Sequence, residues 1–153
     1  MRLASMACLA ALSVAGFVGC GVGPVSVRQT VESGRHFILK AGQSATLAAS
    51  ADLRIGFDGV VADSRCPKGE QCVRAGEAIV RVWLQRGAGP RQVVELVGPV
   101  AEPHGQALLP QAMGHQLIFI SLEPYPVSSR AVLPADYLLT LSVRPGIARE
   151  ATQ

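Results

Sequence analysis

The stretch Ala-Ile-Val-Arg-Val-Trp-Leu-Gln at residues 78–85 carries the clearest fold signal in the chain. Its aliphatic residues recur at every second position, and Arg81 and Gln85 lie on the alternate side. Successive side chains of a β-strand point to opposite faces, so this period of two predicts a half-buried strand. Gly-Ala-Gly-Pro at 87–90 is a turn signal, and residues 92–97 resume the strand pattern. The centre of the chain therefore predicts an antiparallel β-hairpin.

Other strand-like segments flank this hairpin. They are residues 36–40, 45–48, 53–57, 60–62, 115–122 and 137–143, and one more short strand is allowed at 25–31. We expect 45–48 to pair with 36–40, and a bulge near Gly59, where the alternation changes phase. No segment inside the domain has the spacing of an amphipathic helix. The prediction is an all-β domain over residues 35–145, an antiparallel β-sandwich or small barrel of about seven strands.

Composition supports one folded domain. The chain has 153 residues, of which 49% are hydrophobic and 16% charged, with 16 Gly and 10 Pro. That apolar content allows a core, and the Gly and Pro content suits short strands joined by turns. The net charge is +3, and the basic residues are scattered without interleaved aromatics. The sequence therefore indicates no nucleic-acid partner.

The first twenty residues have the pattern of an export signal. Arg2 precedes an uncharged apolar stretch over 3–17 that is short for a membrane-spanning helix. Phe-Val-Gly-Cys at 17–20 resembles the lipobox of bacterial lipoproteins, with Phe17 where Leu is usual. That resemblance implies cleavage before Cys20 and a lipid on its sulfur. The alternatives are an ordinary signal peptide and a transmembrane anchor.

These expectations divide the chain and give it a location. We expect a signal peptide at 1–19, a lipidated N-terminus and tether at 20–34, and a tail at 146–153. Two or three acyl chains anchor a protein stably, so the membrane would be a partner through the lipid on Cys20. Gly21 follows the cysteine, and the sorting rule of enteric lipoproteins would then place the protein in the outer membrane, facing the periplasm.

The remaining cysteines predict a disulfide. Cys8 leaves with the signal and Cys20 receives the lipid, so Cys66 and Cys72 remain, six positions apart in an oxidising compartment. A metal site and free thiols are the alternatives. Structural zinc requires four ligands, and no second cysteine pair accompanies this one. The histidines are dispersed, and Met113 with His115 only weakly suggests a copper-type pair, so we expect no metal and no cofactor.

A motif surrounds this cysteine pair. Residues 63–76 read Asp-Ser-Arg-Cys-Pro, four residues, Cys, two residues, Ala-Gly. The pattern resembles that of a family of small, largely uncharacterised bacterial exported proteins and lipoproteins, in which a terminal strand like 137–145 accompanies it. The resemblance covers about 37–145 and implies an exported β-rich domain with no established activity. Arg74 stands where members often have Trp.

Two interpretations of the motif stay open. Asp63, Arg65, Lys68, Glu70 and Arg74 are the candidate binding residues, displayed on a rigid loop. In the structural alternative, short polar side chains start a turn, the proline fixes one backbone angle and the disulfide closes the loop.

The motifs expected of common enzymes are absent from the sequence. Ser128 and Ser129 lack the glycine context of a hydrolase nucleophile, and no histidine has a triad setting. There is no metalloprotease, P-loop or dinucleotide-binding motif. The sequence therefore favours a non-enzymatic envelope module, with a protein or glycan partner or a structural role. A protease inhibitor that inserts the Cys66–Cys72 loop is the alternative, and an enzyme is less favoured.

Overall fold

A computed structural model of the chain describes residues 29–99, 110–128 and 130–146. The expected signal peptide, Cys20, Ser129 and residues 147–153 of the expected tail lie outside these residues. The strands are β1 (Gln29–Val31), β2 (His36–Lys40), β3 (Ser44–Leu47), β4 (Ser50–Asp63), β5 (Ala78–Arg86), β6 (Arg91–Gly98), β7 (Gln111–Ala112), β8 (His115–Glu123) and β9 (Leu138–Pro145). A 3-10 turn covers Pro134–Asp136. The described residues contain no α-helix, and none of their segments is a helix long and apolar enough to cross a bilayer.

The strands form two sheets that enclose one core. One sheet has the order β1-β3-β4-β5-β6, and the other has the order β2-β9-β8-β7. All pairings are antiparallel except that of β1 with β3. This arrangement confirms the predicted all-β fold as a sandwich.

The predicted hairpin at the centre of the chain is confirmed as β5 and β6. Trp83 lies opposite Val93, and Ala78 lies opposite Gly98. The alternate residues Val80, Val82 and Leu84 are completely buried, as the period of two predicts. The core therefore contains the aliphatic side of this hairpin.

The largest buried side chains come from both sheets. Phe57 on β4 belongs to the same hydrophobic cluster as Phe119 on β8 and Leu141 on β9. Truncation of a buried Phe to Ala typically costs about 3–5 kcal/mol of stability. Contacts between the sheets thus hold the two layers together.

Strand β4 contains the predicted bulge. Its register with β5 shifts between Phe57 and Gly59, and again between Val60 and Ala62. Gly59 has φ +151°, a conformation that side chains disfavour, with open space at its Cβ position. The bulges bend a fourteen-residue strand so that its last residue, Asp63, reaches the end of the sandwich.

Three local features differ from expectation. Segment 45–48 does not pair with β2, because the turn at Gly42 (φ +84°) carries the chain from one sheet to the other. The two-residue strand β7 is not among the expected strand-like segments, because it is too short to show alternation. The short strand allowed at 25–31 is present as β1, so the ordered sheet begins before residue 35.

Candidate binding site at the disulfide loop

The disulfide loop, residues 64–77, connects β4 to β5 at one end of the sandwich. Cys66 and Cys72 are bonded, with their Cα atoms 5.9 Å apart, inside the usual range for a disulfide. The predicted pairing is therefore present in the structure. The bond divides the loop into a closed ring, 66–72, and a return segment, 73–77.

Ser64 and Glu77 close the neck of the loop. The Ser64 amide and hydroxyl both donate to the Glu77 carbonyl at 2.9 Å, and the Glu77 amide donates to the Ser64 hydroxyl at 3.1 Å. A Cβ atom on Gly76 would lie only 1.6 Å from the Ser64 carbonyl oxygen. The neck therefore requires glycine at this position, which explains the glycine of the motif.

Arg65 fastens the base of the loop to the body of the sandwich. Its side chain is buried although arginine is mostly exposed in proteins. Nε donates to Asp63 Oδ1 at 2.8 Å and Nη2 to Asp63 Oδ2 at 2.7 Å. Nη1 also donates to the Leu122 carbonyl, and Nη2 donates to the Pro124 carbonyl at 3.1 Å. These partners satisfy a cation that would be costly to bury alone.

Two tyrosines complete this anchor. The Tyr137 hydroxyl donates to Asp63 Oδ2 at 3.1 Å. The guanidinium carbon of Arg65 lies 4.9 Å from the centroid of the Tyr125 ring, in a cation–π geometry. We call Asp63, Arg65, Tyr125 and Tyr137 the buried anchor, in which Tyr125 is the half-buried outer member. It links the end of β4 in one sheet to the end of β8 and the start of β9 in the other.

The charges of the buried anchor depend on one another. Burial alone would raise the pKa of Asp63, but hydrogen bonds and the charge of Arg65 outweigh it and hold the pKa below its ordinary value. Burial raises the pKa of Tyr137, and the Asp63 carboxylate raises it further. Asp63 is therefore an ionised structural acceptor, and Tyr137 a neutral donor, at ordinary pH.

The main chain of the ring packs on the segment after β8. The Lys68 amide donates to the Pro126 carbonyl at 3.0 Å, and Lys68 forms an isolated parallel bridge with Val127. The Ser128 hydroxyl donates to the Lys68 carbonyl at 3.4 Å. The Lys68 ammonium also lies 5.4 Å from the centroid of the Tyr125 ring. One side of the ring is thus attached to the sandwich.

The opposite side of the loop is exposed. Glu70, Val73 and Arg74 face solvent, and Val73 has no shielding from any neighbour. The segment on which the ring packs lines a separate groove, where Val127 and Leu133 are substantially exposed. The same groove is also lined by the charged residues Arg130 and Asp136. Solvent can therefore reach two charged side chains and one aliphatic side chain on the side of the loop that faces away from the sandwich.

The structure divides the five candidate binding residues into two groups. Asp63 and Arg65 belong to the buried anchor, so the expectation that Arg65 is displayed is wrong, because its guanidinium is used by Asp63 and two backbone carbonyls. Lys68, Glu70 and Arg74 are exposed on the loop.

Sequence reasoning missed the roles of Tyr125, Tyr137 and Val73. The Asp-x-Arg spacing was an available signal, because residues two apart on an extended segment share a side. The tyrosines had no comparable signal, since they come from far along the chain.

Two side chains of types that act in catalysis contact backbone carbonyls. His115 Nδ1 contacts the Met113 carbonyl at 3.0 Å, and the Ser128 hydroxyl is engaged by a carbonyl. Among residues 29–99, 110–128 and 130–146, no three His, Cys, Asp or Glu side chains cluster as a metal site would require. What this geometry does support is the presentation of a rigid surface.

Comparison of the chain with protein-family models, with curated proteins and with solved structures found no match.

Proposed function

We propose that the protein is a lipid-anchored module of the bacterial envelope that presents its disulfide loop to a protein or glycan partner and catalyses no reaction. The observation that carries this proposal is that different residues of the loop attach it to the sandwich and face solvent. The disulfide, the neck and the buried anchor hold it in place, and none of them uses the side chains of Glu70, Val73 or Arg74.

Rigidity favours binding by such a loop. A flexible loop loses conformational entropy when it binds, typically about 0.5–1.5 kcal/mol for each immobilised long side chain, whereas a preorganised loop avoids part of that cost. The exposed residues combine both signs of charge with an aliphatic side chain, as rims and centres of protein interfaces do.

The anchoring part of the proposal rests on the lipobox-like sequence at 17–20. A lipid on Cys20 would hold the sandwich at the periplasmic side of the outer membrane. Mass spectrometry of the native protein tests this, with a lipidated N-terminal peptide that begins at Cys20 expected. Cys20→Ser should release the protein from the membrane, and an unmodified chain beginning at Met1 would refute the anchor.

A photo-crosslinking amino acid at position 73 tests the loop. In the native envelope we expect it to capture a recurrent partner, and Glu70→Ala with Arg74→Ala should reduce the yield. A crosslinker at Arg144, which is exposed on the other sheet, is the matched control. An identical capture pattern from both positions, or no dependence on the two substitutions, would refute the loop as a recognition surface.

A protease inhibitor is the second candidate, and the exposure of Val73 beside a disulfide ring favours it. An inhibitory loop must offer one side chain to the specificity pocket of a protease while its backbone stays ordered. Inhibition assays with periplasmic proteases test this: Val73→Lys should shift inhibition toward trypsin-like enzymes. Absence of inhibition by both forms leaves the partner-binding proposal.

A further inference from the structure

Trp83 lies on the face of the five-stranded sheet that points away from the core. Its neighbours Val82 and Leu84 are buried in the core, and its cross-strand partners on the outer side are Gly56 and Val93. A tryptophan on an outward face is expected to be exposed, yet Trp83 retains only 5% of its accessible surface. Other side chains on this face must therefore cover it.

The cover consists of two arginines. The Arg91 guanidinium carbon lies 4.0 Å from the centre of the indole, and that of Arg54 lies 5.5 Å away. Gly56 provides the space for the ring, because a Cβ at that position would lie 2.1 Å from Trp83 Cε2. The result is an indole flat on the sheet with two guanidinium groups against it, a favourable cation–π arrangement.

Neither guanidinium is neutralised by a described carboxylate. The ion pairs of this sheet join Arg81 to Glu95 and Arg86 to Asp52. Arg54 donates to the Ser44 hydroxyl at 3.2 Å, and in residues 29–99, 110–128 and 130–146 no Asp or Glu pairs with Arg54 or Arg91. Guanidinium groups bind phosphate through parallel hydrogen bonds and lose little hydration in doing so. The pair is therefore available to an anion.

Exposed aliphatic side chains continue the same face. Val93 is 53% exposed and lies opposite Trp83, and Val97 is 49% exposed and lies opposite Ile79. We call Arg54, Trp83, Arg91, Val93 and Val97 the arginine–tryptophan face. Glu95 lies between these valines on the same side, and its carboxylate is paired with Arg81. The unpaired charges of the face are therefore cationic, and cationic groups interspersed with apolar ones suit the headgroup region of an anionic bilayer.

The position of the expected tether allows such contact. Strand β1 begins at Gln29 on the edge of this sheet, and residues 21–28 separate it from Cys20. Eight extended residues span at most about 28 Å. Three strand spacings, about 14 Å, separate β1 from β5. A lipid on Cys20 would thus hold this face within reach of the membrane surface.

We propose that the arginine–tryptophan face docks on phosphate-bearing lipid headgroups and so orients the sandwich on its membrane. This inference rests on the proposed lipid anchor. The docked orientation leaves the disulfide loop, at one end of the sandwich, accessible beside the membrane rather than beneath the domain.

The single tryptophan of the chain makes the docking measurable. The native lipid-modified protein is reconstituted in vesicles of phosphatidylcholine, with or without phosphatidylglycerol, that carry a headgroup-attached dansyl group, which quenches an indole by energy transfer and needs no contact with the covered ring. We expect strong quenching of Trp83 fluorescence only in the anionic vesicles, and loss of that quenching as salt is raised. Equal quenching in neutral and anionic vesicles would overturn the inference.

Paired variants assign the effect to the face. One arginine near an anionic surface contributes about 1 kcal/mol, or about fivefold, so Arg54→Gln with Arg91→Gln should lower the docked-to-undocked ratio about 25-fold. Arg35→Gln with Arg144→Gln removes the same charge elsewhere and should leave quenching unchanged. Equal loss of quenching in both pairs would mean nonspecific attraction and would overturn the proposal.

Flotation with neutral vesicles reports the anchor separately. Protein that floats without Trp83 quenching on anionic vesicles retains the anchor and refutes the docking. Protein that does not float with neutral vesicles, yet shows arginine-dependent quenching on anionic ones, refutes the anchor and retains the docking.

Discussion

Arg65 places its guanidinium across the carboxylate of Asp63, two residues earlier in the chain, with Nε 2.8 Å from Oδ1 and Nη2 2.7 Å from Oδ2. Both side chains are almost completely shielded from solvent. The same guanidinium reaches the carbonyls of Leu122 and Pro124. A local ion pair thereby becomes a connection between the two sheets, and the disulfide loop rests on it.

Loss of the cation should destabilise the fold strongly. Arg65→Met leaves the Asp63 carboxylate buried without its counter-charge, and such changes cost about 3–5 kcal/mol. Urea denaturation of the purified protein measures the difference. Arg74→Met, on the exposed side of the loop, should change stability by less than about 0.5 kcal/mol.

A double variant separates the buried charge from lost packing. Asp63→Asn together with Arg65→Met removes both charges, so it should be less destabilised than the two single changes summed. Strict additivity would mean that the pair is not coupled and would contradict the role given to it here.

Stability should fall in acid through Asp63. Its pKa in the folded protein is below its ordinary value of 3.8, because the hydrogen bonds and charge of Arg65 favour the carboxylate. The stabilisation is therefore complete above about pH 4 and is lost as the pH falls through the folded pKa. Denaturation from pH 7 to pH 2 should show this loss of stability. The Asp63→Asn variant should lack the part of the pH dependence that comes from this carboxylate. Asp58→Asn, at an exposed position of β4, should keep it.

Removal of the disulfide should lower stability moderately. Cys66→Ser with Cys72→Ser opens a short ring, and the chain-entropy model assigns such a ring about 2 kcal/mol. Thermal unfolding measures the loss, and reducing agent should shift the wild-type melting temperature but not that of the variant. Titration of two free thiols in the oxidised native protein would contradict the bridge.

Gly76→Ala should open the neck of the loop. The new methyl group would lie 1.6 Å from the Ser64 carbonyl oxygen, so the backbone must move and the bonds between Ser64 and Glu77 must weaken. We expect a loss of about 1–3 kcal/mol and faster amide exchange at Glu77. Gln71→Ala, an exposed change in the same loop, is the control. Unchanged exchange at Glu77 would contradict the close approach.

Local patterns predicted the parts of the fold that local contacts determine. The β5–β6 hairpin follows from alternation on either side of a turn at 87–90, and the bulge of β4 follows from the change of phase at Gly59. The disulfide followed from counting cysteines. In the hairpin and the bulge the interacting residues are near in sequence, and for the disulfide only two cysteines remain to pair.

Distant pairings were beyond the same reasoning. Strand β2 finds its partner in β9, about a hundred residues later, and its alternation says nothing about which strand that is. The sequence predicts that Arg65 is exposed, but the fold buries it against Leu122, Pro124 and Tyr125. Long-range topology decided both, and it also decided which candidate binding residues became structural.

The residues that hold the disulfide loop in place are different from those that it exposes to solvent, and this separation has an evolutionary consequence. Substitutions at positions 70, 73 and 74 alter what the molecule offers to its surroundings and leave every bond of the framework intact. Under the proposed function, recognition by the loop could therefore change by point mutation without loss of folding stability. For the same reason, new side chains at these three positions would be held by the same disulfide, neck and buried anchor.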